Sequence, residues 1–397
     1  MELKRIDVFL FKILYLAVVG VVVSQTLDLD NVTSFLFLLT FPLTVLLWIR
    51  SVRSTLTGGD VMMLITAALA VVSVFLDVML SGARLNFDYL RKLIMFIMTL
   101  LFFQTAYRVR VKQDVARFIN NLVDILTLYL IFMYFTSHSQ MYLLNGYVTQ
   151  YLTFRFDNPN TTGLFLTCLY MLETFRLFTR ERWYAKLLHI VMALFMAWFV
   201  VQTRSRNCLL VMAMFTTFCA WLAFRSKRKL RISKTWSVIF AWFPLLFFGA
   251  YMVLVYTPWI QEVFSFLVDI GKGLDSRMKI WIRALNHIAE SPLIGAYNGI
   301  SNGTGSSQLH NTHLDIAASY GIPVLILVGI LLERYLYQKG RYYADKESFA
   351  YILGFACALI LGMAEAALFS GGLGIYIFAG TFLLLSAREQ PNHTGTL

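Results

Sequence analysis

Apolar runs long enough to cross a bilayer recur along the whole chain, and nothing else in the sequence restricts its fold as strongly. A membrane helix needs about 20 apolar residues, or roughly 17 at the short end. Runs of this kind fall near 10–27, 33–49, 61–80, 89–107, 118–136, 160–178, 186–202, 207–224, 236–257, 313–333, 348–367 and 372–386, the last being the shortest. In hydrocarbon each backbone amide must find its partner inside the protein, which makes such runs helices. The expected fold is an all-α polytopic membrane protein of about twelve transmembrane helices, with residues 1–397 forming a single membrane domain.

Composition removes the alternatives. Hydrophobic residues make up 58% of the chain and charged residues 14%, with a mean hydropathy of +0.67. That leaves too little polar surface to coat a soluble fold, and it excludes disordered and collagen-like chains. Cys168, Cys208, Cys219 and Cys357 stand singly inside apolar runs, so neither a disulfide framework nor a zinc site is expected. Lys4 and Arg5 precede a first apolar run with no small-residue cleavage site behind it, so no cleavable signal peptide is expected.

The 34 basic and 22 acidic residues leave a net charge of +12. In a soluble protein this excess suggests nucleic acid; here it follows from the clustering of Lys and Arg in cytoplasmic loops, and no nucleic-acid partner is expected. Alternate loops carry Lys4/Arg5, Arg50/Arg53, Arg108/Arg110/Lys112/Arg117, Arg180/Arg182, the run from Arg225 to Lys234, Arg334/Lys339/Arg341/Lys346, and Arg388. With twelve spans all of these share one side, so both termini are expected in the cytoplasm of a cell with the protein in its inner membrane. The longer outer loops are then 137–159 and 258–312. The second, between spans nine and ten, contains a Gly-Lys-Gly turn at 271–273, a helical stretch near 275–290 and a Gly/Ser/Asn-rich piece at 295–307.

Cations on the outer face have no such topological reason, which singles them out. Arg204 and Arg206 lie in QTRSRNCLL, 202–210, where guanidinium forks suit phosphate oxygens and snorkelling to lipid headgroups is the alternative. Arg277, Lys279 and Arg283 lie in DSRMKIWIRALNHIAESPLIG, 275–295, with Met278, Ile282, Leu285 and Ile288 on one helical stripe. A surface-lying amphipathic helix accounts for Lys279 and Arg283; Arg277, at the helix start, also sits where backbone amides favour anions. His310 and His313 lie in LHNTHLDIAASYGIPV, 309–324, and a histidine is suited to take a proton near neutral pH. As a metal pair they lack a third ligand. His138, His189, His287 and His393 read as structural. Arg155 precedes DNPN, 157–160, in which Asn158 caps a helix and Pro159 takes its first turn, while Asn158 and Asn160 are also suited to sugar hydroxyls. The DLD at 28–30 reads mostly as a helix cap. Asp77, Asp315 and Glu365 lie in or beside spans without a partner recognisable from sequence.

In order, DNPN, TRSRN at 203–207, SRMKIW…ESPLIG at 276–295 and HNTHLDIAASYGIP at 310–323 resemble the O-antigen ligase and O-antigen/capsule polysaccharide polymerase superfamily. The likeness covers roughly residues 150–325, and the first five spans share only the hydropathy. It implies a glycosyltransferase that joins undecaprenyl-diphosphate-linked oligosaccharide repeat units on the outer face of the membrane, with no metal or cofactor. The family's paired arginines correspond to Arg206 and Arg277 and its histidine to His310. Arg204 is an additional basic residue for the diphosphate, and His313, Asn311, Arg155, Asn158 and Asn160 are secondary candidates.

A diphosphate leaves as a stable anion and needs charge neutralisation, which arginines supply. The acceptor hydroxyl then needs one base, His310. Tyr297, Trp281 and Tyr320 are candidates for stacking on sugars. The implied partners are the lipid-linked donor, a glycan acceptor, the bilayer and other polysaccharide assembly proteins. Alternatives are a ligase that passes a finished glycan to lipid A core or another acceptor, a flippase for the same lipid-linked glycan, and a non-catalytic assembly scaffold.

Overall fold

The structure is a computed structural model. It describes residues 4–53, 55–82, 87–136, 141–144, 147–156, 158–179, 182–224, 230–257, 275–295, 309–341, 346–363, 365, 367–370 and 374–386. The turn at 271–273, most of 295–307, Asp157 and Tyr297 lie outside these residues.

Among the described residues the regular elements are helices apart from one short hairpin. In order the helices are α1 (Arg5–Thr26), α2 (Asp30–Val52), α3 (Gly58–Ser81), α4 (Phe87–Arg108) and α5 (Gln113–Thr136). The antiparallel strands β1 (Met141–Leu144) and β2 (Tyr147–Gln150) follow, paired from Met141↔Gln150 to Leu144↔Tyr147. Next come α6 (Pro159–Thr179), α7 (Trp183–Gln202), α8 (Arg206–Phe224), α9 (Lys234–Tyr256) and α10 (Asp275–Glu290). The chain closes with α11 (Thr312–Tyr320), α12 (Ile322–Gly340), α13 (Lys346–Leu361), α14 (Ala367–Ser370) and α15 (Ile375–Leu385). Each apolar run read from the sequence is helical over most of its described residues. Among the described residues, eight helices are long and apolar enough to cross a membrane by length and composition. They are α1, α2, α3, Leu90–Arg108 of α4, α5, α7, α8 and α9.

One expected span is corrected. The run 313–333 is two helices, α11 of 9 residues and α12 of 19, broken at Gly321. Gly321 has φ +88°, and a Cβ there would meet the Leu293 carbonyl oxygen at 2.2 Å. Only glycine takes both the dihedral and the contact without strain. The amide of Ile322 then bonds the Pro292 carbonyl at 2.8 Å, which fastens the break to the turn after α10. Apolar periodicity continues across Gly321, so hydropathy does not reveal the break. Gly321→Ala is expected to cost at least about 2 kcal/mol and to lower the melting temperature of the purified protein.

The short run read last, 372–386, forms the middle of the bundle. Every residue of α15 is buried, as is all of α13 from Phe349 onward. Small residues let these helices approach their neighbours, as membrane helix packing requires. Gly380 faces Phe102, and Gly354 faces Phe382 and Phe175. The long helices α2 and α3 leave many large apolar side chains exposed, among them Phe35, Leu38, Met79 and Leu80, which suits contact with lipid.

Ion pairs fasten the layers. Arg50 pairs with Asp7, Arg108 with Asp60, and Lys92 with Asp315. His189 is structural, as expected, in a buried knot of α5, α6 and α7. Its Nδ1 lies 2.8 Å from Glu173, Glu173 accepts from Thr127 at 3.0 Å, and Arg176 bonds Asp124 and the Asn120 carbonyl.

Candidate active site

The site is built where three distant segments meet: the start of α10, the strained turn before α11, and the stretch after α13. Arg277 lies in the first turn of α10. That helix is held by Trp281, which is fully buried, donates to the Leu309 carbonyl at 2.8 Å, and packs edge-on against Phe248 and Tyr251 of α9. The apolar face of α10 is thus centred on Met278, Trp281 and Ala284 and buried in protein, with Ile282, Leu285 and Ile288 packed at its border. This corrects the expectation of a helix lying with that stripe in the membrane surface. Lys279 and Arg283 do face outward.

His310 has φ +52°, a backbone state that costs a non-glycine residue energy and persists only when neighbours enforce it. Asn311 enforces it. Its Oδ1 caps α11 by accepting from the amides of His313 and Leu314, both at 3.1 Å. Its Nδ2 donates to the carbonyls of Pro244 at 2.9 Å and Met363 at 3.1 Å. Thr312 adds two bonds to the same stretch, from its amide to the Gly362 carbonyl at 2.8 Å and from its hydroxyl to the Glu365 carbonyl at 3.1 Å. Gly362 permits this approach, since a Cβ there would meet the Thr312 hydroxyl oxygen at 2.5 Å.

This stitching brings together three side chains. Arg277 Nη2 donates to Glu365 Oε1 at 2.9 Å, and His310 Nδ1 lies 3.1 Å from Glu365 Oε2. The Glu365 side chain is 1% exposed, whereas Arg277 and His310 keep 19% and 20% of theirs accessible. A carboxylate oxygen only accepts, so in a neutral His310 this contact places the proton on Nδ1 and leaves the lone pair on Nε2. The carboxylate also compensates the guanidinium, as a half-buried charge requires.

The start of α8 adjoins the same stretch. Asn207 Nδ2 donates to the Leu361 carbonyl at 2.7 Å, and the Cys208 sulfur lies within electrostatic reach of both Glu365 and Arg277. Arg206 is the first residue of this helix. Behind Glu365 is a small apolar cavity lined by residues such as Leu164, Cys168, Leu361 and Ile375, with Glu365 its one charged wall.

Most of the other candidates make their contacts elsewhere. Arg204 has φ +54° and stacks over the Tyr151 ring at 5.3 Å, tying the turn before α8 to the loop after β2. Arg155 is 3.8 Å from Asp28, so the DLD segment pairs with a neighbouring loop. Asn158 caps α6 by accepting from the Asn160 amide at 2.8 Å. His313 is buried against Trp242 of α9, with ring centroids 5.6 Å apart. Asn311 is fully buried and acts as the clamp just described. Two aromatics named for sugar stacking are core residues instead. Trp281 is sealed under α10, and Tyr320 packs on Phe96 at 4.6 Å.

Sequence reasoning missed Glu365 as a site residue. It follows an apolar run, and its partners lie 88 and 55 positions away. The available signal was its position, a carboxylate at the end of a membrane run. Asp315 likewise finds a partner that sequence did not name, Lys92, at 2.8 Å.

Asp124, Glu173 and His189 place three ligand-type atoms within 4.8 Å of one another, well away from Glu365 along the chain. Arg176 already bonds Asp124, so a cation there would stand against a guanidinium. The knot is charge-compensated from within the protein.

No curated protein and no solved structure matches the chain. The family model described as O-Antigen ligase matches residues 191–329, a span that contains Arg206, Arg277 and His310 and ends before Glu365. The bundle of apolar helices indicates an integral membrane protein, and its residues 191–329, about a third of the chain, are similar to the O-Antigen ligase family.

Proposed function

We propose that the protein is a membrane glycosyltransferase that polymerises undecaprenyl-diphosphate-linked oligosaccharide repeat units on the outer face of the inner membrane. The observation that carries this reading is the meeting of Arg277 and His310 on the two oxygens of one buried carboxylate. In the proposed reaction the acceptor hydroxyl attacks the anomeric carbon of the donor. The bond from that carbon to the diphosphate breaks, and configuration inverts. The hydroxyl proton passes to His310 Nε2, which the Nδ1 contact to Glu365 leaves as the acceptor nitrogen. The diphosphate leaves as an anion against Arg277 and Arg206, whose guanidinium forks match phosphate oxygens. Arg277 spends Nη2 on Glu365 and presents its other donors to the ligand. Glu365 touches no reacting atom and serves as a positioning residue.

The description of the matching family favours a second outcome, transfer of a finished glycan to a separate acceptor such as lipid A core. Incubation of the purified protein with one lipid-linked repeat unit separates the two. A ladder of products marks a polymerase. A product formed only when a second acceptor is added marks a ligase. Arg206→Ala, Arg277→Ala and His310→Ala are each expected to insert normally and to lose about 10²-fold or more in turnover. Normal product from all three variants sinks the proposed site, and movement of donor between leaflets without new glycosidic bonds supports the flippase instead.

A further inference from the structure

Arg206 is exposed at the first position of α8, and the residue after it is buried. The helix leaves a turn in which Arg204 has φ +54° and the Ser205 amide bonds the Thr203 hydroxyl at 3.3 Å. A turn of this kind persists only where its surroundings fix it. On one side α6 presses against it. A Cβ at Gly163 would meet Cys208 Sγ at 2.9 Å and Thr203 Oγ1 at 3.0 Å. On the other side stands the end of α13, and there the contact is polar. Asn207 Nδ2 donates to the Leu361 carbonyl at 2.7 Å.

Leu361 is the last residue of α13, so its carbonyl has no partner within the helix. The residues after it are those that Thr312 and Asn311 hold at Gly362, Met363 and Glu365. Asn207 therefore ties the start of α8 into the same stitching that places Glu365. Asn207 Oδ1, in contrast, is sealed from solvent without a hydrogen-bond partner, in a residue 7% exposed. An acceptor buried unmet costs stability, so packing does not account for an amide here. What the amide supplies is its donor. Removing it has opposed effects on stability, because Leu361 loses a bond while the unmet oxygen disappears.

We infer that Asn207 is a positioning residue for the transfer reaction, whose bond to Leu361 holds the Arg206 guanidinium in register with Arg277 and His310. The inference rests on the reading of Arg206 as a ligand of the diphosphate. Asn207 itself touches no reacting atom.

The test measures kcat, donor KM and melting temperature of the full chain in detergent, with the lipid-linked repeat unit as donor. Asn207→Leu keeps the volume and removes the donor. It is expected to lower kcat about tenfold or more, to leave donor KM within about twofold, and to melt close to the parent protein. Asn207→Gln restores an amide at a longer reach and should recover part of kcat. Asn207→Ser is too short to span to Leu361. It should lose kcat as Asn207→Leu does, and it serves where that variant does not fold. Arg206→Ala is measured beside them. Parental kcat in Arg206→Ala means that the diphosphate reading has failed, and the inference falls with it. Impaired Arg206→Ala with parental kcat per folded molecule in Asn207→Leu and Asn207→Ser overturns the positioning role alone. A lower melting temperature with parental kcat also overturns it, since Asn207 is then a stability contact.

Discussion

Glu365→Gln is expected to lower turnover about 10²- to 10⁴-fold while the protein stays inserted and monodisperse. The amide keeps the size of the carboxylate, and its oxygen still accepts one hydrogen bond. Its nitrogen only donates. If the oxygen keeps Arg277, the nitrogen faces His310 Nδ1 and drives the proton to Nε2, which removes the lone pair proposed to take the acceptor proton. Donor KM should change little, because Arg277 and Arg206 retain their charge. Glu365→Asp should recover part of kcat, since it restores an acceptor at a longer reach. A role confined to stability predicts something else, a fall in folded protein with normal turnover per folded molecule. Parental kcat in Glu365→Gln would sink the positioning role and, with it, the assigned histidine tautomer.

The second large effect is on stability. Lys92 donates to Asp315 at 2.8 Å and to Ser319 at 3.1 Å, and the side chains of the ion pair are 8% and 3% exposed. The pair fastens α11, which carries the chain away from His310, to α4. Removing one partner of such a pair leaves a buried charge alone and costs about 3–5 kcal/mol. Lys92→Met and Asp315→Leu are each expected to reduce the yield of folded protein sharply. The double variant should recover most of it, since apolar replacement of both partners is often close to neutral. The readout is melting temperature and monodispersity in detergent, followed by transfer activity per folded molecule. Recovered stability together with recovered activity assigns the pair to holding the helix. A double variant no better than its singles removes the ion pair as the reason for their loss.

Hydropathy located the helices because lipid offers no hydrogen bonds and forces the backbone to satisfy itself within each apolar run. The same physics hides which helices are central. In a bilayer the outside of the bundle is as apolar as its inside, so α15, the shortest run, gave no sign that it lies at the core. It also hides Gly321, since the residues on both sides of the break are equally apolar. Arg277 and His310 stood out because charged or titratable groups at a membrane boundary demand a reason. Arg204 and Arg155 met the same criterion and turned out to be spent on Tyr151 and Asp28, and no local pattern separates the two cases. Trp281 and Tyr320 carry the residue type of a sugar platform, but burial assigns them to packing.

The sequence by itself therefore determined the class of molecule, the positions of its helices and two of the three side chains in the cluster, all from properties of residues within one run or one turn. Only the tertiary structure decided that Glu365 stands between Arg277 and His310, that one expected span is two helices, and which aromatics are buried. Each of these depends on contacts between segments far apart in the chain, the first of them held by the clamps of Asn311 and Thr312 on the stretch from Gly362 to Glu365. Hydropathy and spacing do not encode which distant backbone carbonyl an amide will meet.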